Sequence, residues 1–268
     1  MTTVERDLRG DLLTTIGTAI EQHPRSLQVE IGPSELGTPC TRKLGHKLAR
    51  TPPARARPAA WRPTVGTAVH TWLASVFEAE NESLGWERWL VETRVRVGMV
   101  DGVEVTGSAD LYDLLTNTVI DWKIVGPGSL KKYRAAVNAG KCPDPGYRSQ
   151  VALYGRGFNR LCDTGLPVAQ VMIVFLPSAG ELSDAVVWTE PYDEQVALDT
   201  LTRADGVAAA LRLLSPDVVI PQLGTAEDHC GHCPFNLPGA TDLAKACPGD
   251  PSMYAPEKRS MPDLLPTT

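Results

Sequence analysis

Between Gly107 and Lys123 the chain reads GSADLYDLLTNTVIDWK, two short stretches meeting near Thr116-Asn117, with a carboxylate on each, Asp110 and Asp121, and an amine at Lys123. Side chains on a strand repeat every two residues, so Asp121 and Lys123 leave the same face. If Thr116 and Asn117 form a two-residue hairpin loop, Leu115 pairs with Thr118, Asp110 falls opposite Lys123, and Tyr112 falls opposite Asp121. All three polar groups then share a face. A three-residue loop would turn Asp110 to the other side. Val119-Ile120 and Ile124-Val125 make the second strand apolar, so Asp121 sits among residues that favour burial and needs a partner or a metal. Two acids and a lysine on a sheet edge can hold a divalent ion and position a water, the chemistry of phosphodiester cleavage. Taken alone, an Asp-x-Lys pair is common on solvated strand faces.

The chain has 268 residues, 43% of them hydrophobic, enough for one sizeable domain with appendages. No apolar run approaches the roughly 18 residues needed to span a bilayer. The N-terminal MTTVERDLRG lacks the basic-then-apolar order of a signal peptide, so a cytoplasmic location is expected. Six cysteines are then reduced thiols or metal ligands rather than disulfides. The net charge of −6 offers no bulk attraction to nucleic acid, but charge is segregated. Leu36 to Phe77 lacks acids and carries Arg42, Lys43, Lys47, Arg50, Arg55, Arg57 and Arg62. Trp122 to Pro143 lacks them too and carries Lys123, Lys131, Lys132, Arg134 and Lys141. Such windows can put a basic groove on an acidic protein.

Helical spacing predicts a first helix over residues 6–22. Ser34 can cap a short turn, and a helix bearing Arg42, Lys43 and Lys47 begins near Thr38 to Thr41. TPPARARPAAWRP reads as a loop. In PTVGTAVHTWLASVFEAE, Val65, Val69, Trp72, Leu73, Val76 and Phe77 make one buried stripe, with His70 beside it. Such a histidine is more often a packed core residue than a ligand. Val91 to Val97 alternates as a strand, and Gly98 to Gly102 turns it into the next. GPGSLKKYRAAVNAGK reads as a glycine-rich basic connection. A helix follows from about Pro145 to Cys162, placing Gln150 and Tyr154 on one face. Val168 to Leu176 is a strand covered on both faces, Ala185 to Thr189 another, and a long helix starts near Pro191 and ends at Leu214.

Cys230 and Cys233 have the spacing that lets two sulfurs reach one centre, with Cys247 a third candidate and Cys40 a fourth. A tetrahedral zinc site and an iron–sulfur cluster both fit. His229 or His232 could replace a thiol in a zinc site, and Cys162 reads as a buried thiol. Either metal group would fasten the N-terminal arm to the C-terminal tail.

His70 in GTAVH, Asp110 in GSAD, Asp121 and Lys123 in IDWK, and Gln150 with Tyr154 in QVALY resemble, in order, the motifs of RecB-type nucleases of the PD-(D/E)XK superfamily. With Cys40 in SELGTPCTRK and the three late cysteines, the chain is most similar to the fourth CRISPR-associated (Cas) exonuclease family and its phage-borne relatives. One departure is the thirteen residues (234–246) between Cys233 and Cys247, longer than the family's usual gap. A turn at Pro238-Gly239 would loop the excess out.

The resemblance implies an α/β fold, a restriction-endonuclease-like core with a central mixed sheet flanked by helices. It implies an N-terminal helical arm over residues 1–60 carrying Cys40 and a nuclease core over 61–215. A cysteine segment over 216–247 and a disordered tail over 248–268 complete it. His70, Asp110, Asp121 and the Trp122 carbonyl would bind Mg²⁺ or Mn²⁺. Lys123 would orient the attacking water, and Gln150, Tyr154 and Arg42 would hold the DNA strand. The four cysteines would carry a structural 4Fe–4S cluster, zinc being the alternative. Exposed aromatics such as Tyr133 or Trp61 could stack on bases. The implied activity is a metal-dependent DNA exonuclease acting on single-stranded ends in recombination, repair or processing. An endonuclease or a CRISPR spacer-processing factor is the nearest rival, and a catalytically silent DNA-binding module the rival of another class. The location would be cytoplasmic (the host cytoplasm if phage-encoded), and the family's range from monomers to rings leaves self-association open.

Overall fold

A computed structural model describes residues 8–22, 31–55, 61–161, 167–227 and 230–251. Helices α1 (Leu8–Glu21), α2 (Pro33–Leu36), α3 (Thr41–Leu48) and α4 (Trp61–Leu84) precede strands β1 (Trp89–Val100), β2 (Val103–Asp113) and β3 (Thr118–Val125). Then come α5 (Pro127–Asn138), α6 (Pro145–Leu161), β4 (Gln170–Pro177), β5 (Val186–Pro191), α7 (Glu194–Leu213) and α8 (Pro216–Val219). The five strands form one mixed sheet in chain order, antiparallel except where β3 runs parallel to β4. That parallel pair needs a crossover, and α5 and α6 supply it. One face of the sheet builds the main core with α5, α6 and α7, where Tyr112 stacks on Phe158 and Tyr133 packs on Phe175. The other face carries a smaller cluster of Leu111, Ile120 and Val174 under Phe77 of α4. Among the described residues, no helix is long and apolar enough to cross a membrane.

Several local expectations change. The β2–β3 loop has four residues rather than two, because Asp113 pairs with Thr118 and organises the turn. Its carboxylate accepts from the Leu115 amide at 3.0 Å and the Thr116 hydroxyl at 2.8 Å, while Arg88 donates to it at 3.0 and 3.2 Å. Tyr112 is therefore opposite Val119, not Asp121. By the same register Asp110 falls opposite Asp121, not Lys123. The slip is two residues, so the face of every side chain is kept. Burial opposes ionisation of Asp113, but the bonds from Arg88, Thr116 and Leu115 outweigh it and hold the carboxyl below its ordinary range. Asp113→Ala leaves the half-buried Arg88 without its carboxylate and the loop without its organiser. It is expected to cost about 2 kcal/mol or more, read as a lower midpoint in urea unfolding.

The β1–β2 turn is Asp101-Gly102, both at positive φ (50° and 73°), the backbone that a two-residue hairpin loop favours. Gly98 lies within β1 instead, beside a bulge between Arg96 and Gly98. The segment GPGSLKKYRAAVNAGK is mostly helix: Gly126 is the N-cap, Pro127 opens the first turn, and Tyr133 is buried, unable to stack on bases. Pro191 ends β5, and α7 starts at Glu194 with the Asp193 side chain accepting from the Gln195 amide. Ahead of α2 the cap is Gly32, whose amide donates to Glu35, while Ser34 also donates to Glu35. Helix α4 has no fully buried residue, and Trp72 is 63% exposed. Its inward line includes His70 itself as well as Phe77 and continues to Asn81, while Trp72 and Val76 face outward. Asn81 fixes the approach to β1 by accepting from the Arg88 and Trp89 amides, both at 2.9 Å.

Candidate active site and cysteine site

Asp110 and Lys123 line a groove of about 2000 Å³, and Asp121, on the same face of the sheet, lies beneath its lining. Asp121 is 1% exposed. Its Oδ1 accepts from Gln150 Nε2 at 3.2 Å, and Gln150 Nε2 also reaches the Tyr154 hydroxyl at 3.3 Å. Gln150 Oε1 accepts from Lys123 Nζ at 3.0 Å, so one amide ties acid, base and phenol together. Lys123 Nζ lies 2.6 Å from Asp121 Oδ2. That approach is a close ion pair between the ammonium and the buried carboxylate. Asp110 Oδ2 accepts from the Trp122 amide at 2.7 Å, which joins β2 to β3 at the site, and Asp110 Oδ1 lies 3.2 Å from His70 Nδ1. The Trp122 indole stacks on Phe77 instead of entering the groove.

Two participants were not legible beforehand. Tyr147 places its ring 4.7 Å under Lys123 Nζ, a cation–π contact. Glu92 joins His70 and Asp110 in a trio whose ligand atoms lie within 4.8 Å of one another. The bulge in β1 explains Glu92. Counting back from Val100↔Val103 without it would set Glu92 opposite Leu111; with it, Val91 pairs with Leu111 and Thr93 with Ala109, so Glu92 meets Asp110. Glu92 takes a left-handed φ of 44° there, a strained backbone for a glutamate. Gly107, three residues upstream of GSAD's aspartate, has Pro33 2.7 Å and Tyr154 3.1 Å from where a Cβ would stand, so only glycine fits.

Burial works to lower the His70 pKa, yet the bond and charge of Asp110 and the charge of Asp121 outweigh it, with Lys123 opposing, and leave it raised. Burial raises the Asp121 carboxyl from 3.8 to about 6; Lys123 pulls it down and Asp110 adds to the rise. A carboxyl whose folded pKa exceeds its unfolded one keeps its proton longer in the fold. In metal-free protein its contribution to stability therefore falls as pH rises from about 4 to about 6, and stays low above that. A divalent ion competes for the same oxygens, so Mn²⁺ affinity is expected to rise with pH through about 6. Calorimetric titration near pH 5 and near pH 7.5 checks this; equal affinities would count against it.

The basic windows reach the groove only in part. Lys47 and Arg50 line it, joined by Arg94 and Arg212 from elsewhere, and Trp61 stands at its side 61% exposed. Arg42 does not line it; its guanidinium donates to the Pro221 carbonyl at 3.2 Å. Arg55 donates to the Gly231 carbonyl and Arg134 to the Asp184 carbonyl. The second window contributes Lys123 alone. Arg57 lies outside the described residues.

Cys40, Cys230, Cys233 and Cys247 line one small cavity with Lys43, His46 and Asn236. Cys40 precedes α3, and Cys230 and Cys233 flank a single 3₁₀ turn. The long gap to Cys247 is closed by a return of the chain: the Leu237 amide donates to the Cys247 carbonyl at 2.8 Å and the Cys247 amide to the Phe235 carbonyl at 2.7 Å. Gly239, at φ 79°, turns the intervening loop. Arm and tail are clasped, since the Arg42 amide donates to the Gly224 carbonyl at 3.0 Å and the Ala54 amide to the Pro234 carbonyl at 2.9 Å. Gly249 and Asp250, at the start of the expected tail, also line the cavity. Among the described residues no three of the thiols come within 4.8 Å of one another. His232 is exposed and outside the cavity lining; His229 and Cys162 lie outside the described residues.

No family model matches the sequence, and no curated protein matches it. Among solved structures the chain is similar to the protein SSO0001 at 17% identity and a TM-score of 0.48, over 85% of this chain and 94% of that one. A phage-related exonuclease from Haemophilus somnus 129PT gives 15% and 0.40, over 63% of this chain and 77% of its own. LHK-Exo in complex with dAMP, the alkaline exonuclease of Laribacter hongkongensis, gives 14% and 0.37, over 68% and 91%.

Proposed function

We propose that this chain is a divalent-metal-dependent deoxyribonuclease of the RecB type that degrades DNA from an end, with single strands preferred. The observation that carries the reading is the trio His70, Glu92 and Asp110, whose ligand atoms lie within 4.8 Å of one another, on the face where the buried Asp121 is paired with Lys123 at 2.6 Å. Two carboxylates and a histidine at that spacing, with a third carboxylate on the neighbouring strand, fit a hard divalent cation. His70, Glu92, Asp110 and Asp121, with the Trp122 carbonyl, would hold Mg²⁺ or Mn²⁺. Such an ion supplies hydroxide at neutral pH and offsets the phosphate's charge. Lys123, steadied by Gln150 and Tyr147, orients the attacking water and balances charge as the P–O bond breaks. Gln150 locks Asp121 and Tyr154 in place, so the site is set before substrate arrives. Lys47, Arg50 and Arg94 hold backbone phosphates, which makes binding salt-sensitive and tolerant of sequence. Trp61 offers a stacking platform for an unpaired base.

The four thiols would hold a 4Fe–4S cluster. Four thiols on one cavity suit the four-thiolate ligand set of such a cluster, and a tetrahedral zinc ion is the alternative. The cluster's role is to join arm to tail, away from the groove.

Purified protein incubated with Mn²⁺ and 5′- or 3′-end-labelled single strands and duplexes tests the activity. Progressive shortening by the wild type and none by Asp121→Ala is the expected outcome. Absence of degradation, or equal degradation by the variant, would leave a DNA-binding module in its place; internal fragments would mark an endonuclease. In the same assay Glu92→Gln is expected to lower the rate about 10- to 100-fold, with partial recovery at high Mn²⁺. An unchanged rate would remove Glu92 from the ion site.

A further inference from the structure

The wall of the cysteine cavity contains a polar group that the thiols do not explain. His46 is 0% exposed and lines the cavity. One ring face stacks on Phe235 with centroids 4.7 Å apart, and Nδ1 lies 3.2 Å from the Thr51 hydroxyl oxygen. Nε2 is buried and has no partner among the described residues. A buried ring nitrogen left without a partner costs about 1–3 kcal/mol. The stack and the Thr51 contact hold the ring in place, so rotation does not relieve it. An unanswered ring nitrogen on the wall of a thiol-lined cavity points to an occupant that accepts its hydrogen bond, and sulfur carrying negative charge is such an acceptor.

We propose that His46 is a positioning residue of the four-cysteine site, its Nε2–H donating a hydrogen bond to a sulfur of the bound iron–sulfur group while the Thr51 hydroxyl donates to Nδ1. The proposal rests on the cluster reading above. Neutral imidazole has one donor and one acceptor, and a Thr51 hydroxyl that donates to Nδ1 leaves the ring proton on Nε2. A donor aimed at cluster sulfur stabilises the more negative, reduced state, so it raises the reduction potential. It also keeps the ring from competing as a fifth ligand, because a protonated nitrogen has no lone pair to offer.

The test uses full-length protein purified without oxygen, with iron and sulfide counted and the potential titrated. His46→Phe keeps an aromatic ring against Phe235 and removes the donor; His46→Gln keeps an N–H. The phenylalanine variant is expected to retain four irons but to be reduced roughly tenfold less readily, which is about 59 mV for one electron. Its visible band should bleach faster in air, and the glutamine variant should recover most of the difference. Thr51→Val, which removes the donor to Nδ1, should move the potential the same way by less, and it serves if the phenylalanine variant does not fold. Unchanged potentials in the variants with full iron would overturn the proposal, as would loss of one iron in both His46 variants, the mark of a ligand. Colourless wild-type protein containing zinc would overturn the cluster reading itself, and that result is read before any variant is made.

Discussion

Asp121→Asn is expected to lower DNA cleavage by about 10³-fold or more while leaving the protein at least as stable at neutral pH. The two halves of this result have one cause. Asp121 is a buried carboxylate whose Oδ1 is held by Gln150 and whose Oδ2 is paired with the Lys123 ammonium at 2.6 Å, yet burial still raises its pKa to about 6. Keeping that charge dry is costly unless an ion completes it. Asparagine has the same shape and no charge, so the metal-free fold is relieved and the ion loses a ligand. Lys123→Met should be as inactive, since the ammonium between Gln150 Oε1 and the Tyr147 ring has no substitute nearby. It should also be less stable than the wild type, because Asp121 is left without its countercharge. Steady-state cleavage rates and urea midpoints for both variants check the pairing. An asparagine variant as active as wild type would end the nuclease reading. One that is inactive and markedly destabilised would show that Asp121 serves the core instead.

Cys230→Ser, or Cys40→Ser, is expected to abolish iron binding and lower the melting temperature by about 10 °C or more, corresponding to a few kcal/mol. The segment after α8 has little core of its own. Among its described residues Ile220, Phe235 and Ala246 are the buried apolar ones outside the cysteines, and it reaches the arm through hydrogen bonds such as Arg42 to Gly224 and the stack of Phe235 on His46. A metal group bridging Cys40 to the three late cysteines would supply the missing stabilisation. Limited proteolysis should then cut the serine variants between residues 223 and 250, where wild type resists. Cys142→Ser is the control. Cys142 lies between α5 and α6 with its thiol donating to the Asp144 carbonyl at 3.3 Å, outside the lining of the four-cysteine cavity, and its loss should change neither iron content nor melting by more than about a degree or two. Equal effects from Cys142 and Cys230 would mean that the cavity holds no shared group.

Much of this was legible in the chain, for local reasons. Alternation over Val91–Val97 marked β1, the continuous apolar run Val168–Leu176 marked β4, and the order of His70, Asp110, Asp121, Lys123, Gln150 and Tyr154 placed each polar group on a nameable element. The shared face of Asp110, Asp121 and Lys123 survived a wrong loop length because a slip of two leaves strand parity intact. The α5 segment was obscured by its Gly-Pro-Gly opening, which reads as loop but caps a helix. The apolar stripe of α4 was real as a pattern, yet only part of it is covered, since periodicity records which face is apolar and not how much protein lies against it.

What residue order alone determined, then, is the chemistry available at each position and the side of each strand on which it stands. Both follow from backbone periods that hold within a few residues. The meeting of groups from distant elements was decided in three dimensions. One extra residue in β1 swung Glu92 beside Asp110, the return loop at Gly239 carried Cys247 back to Cys233, and packing of α3 on Phe235 sealed His46 into the thiol cavity. It likewise turned Arg42 to a carbonyl and admitted Arg94 and Arg212 to the groove. Bulges, loop lengths and helix packing set these distances, and each depends on contacts far apart along the chain, which no short window of sequence contains.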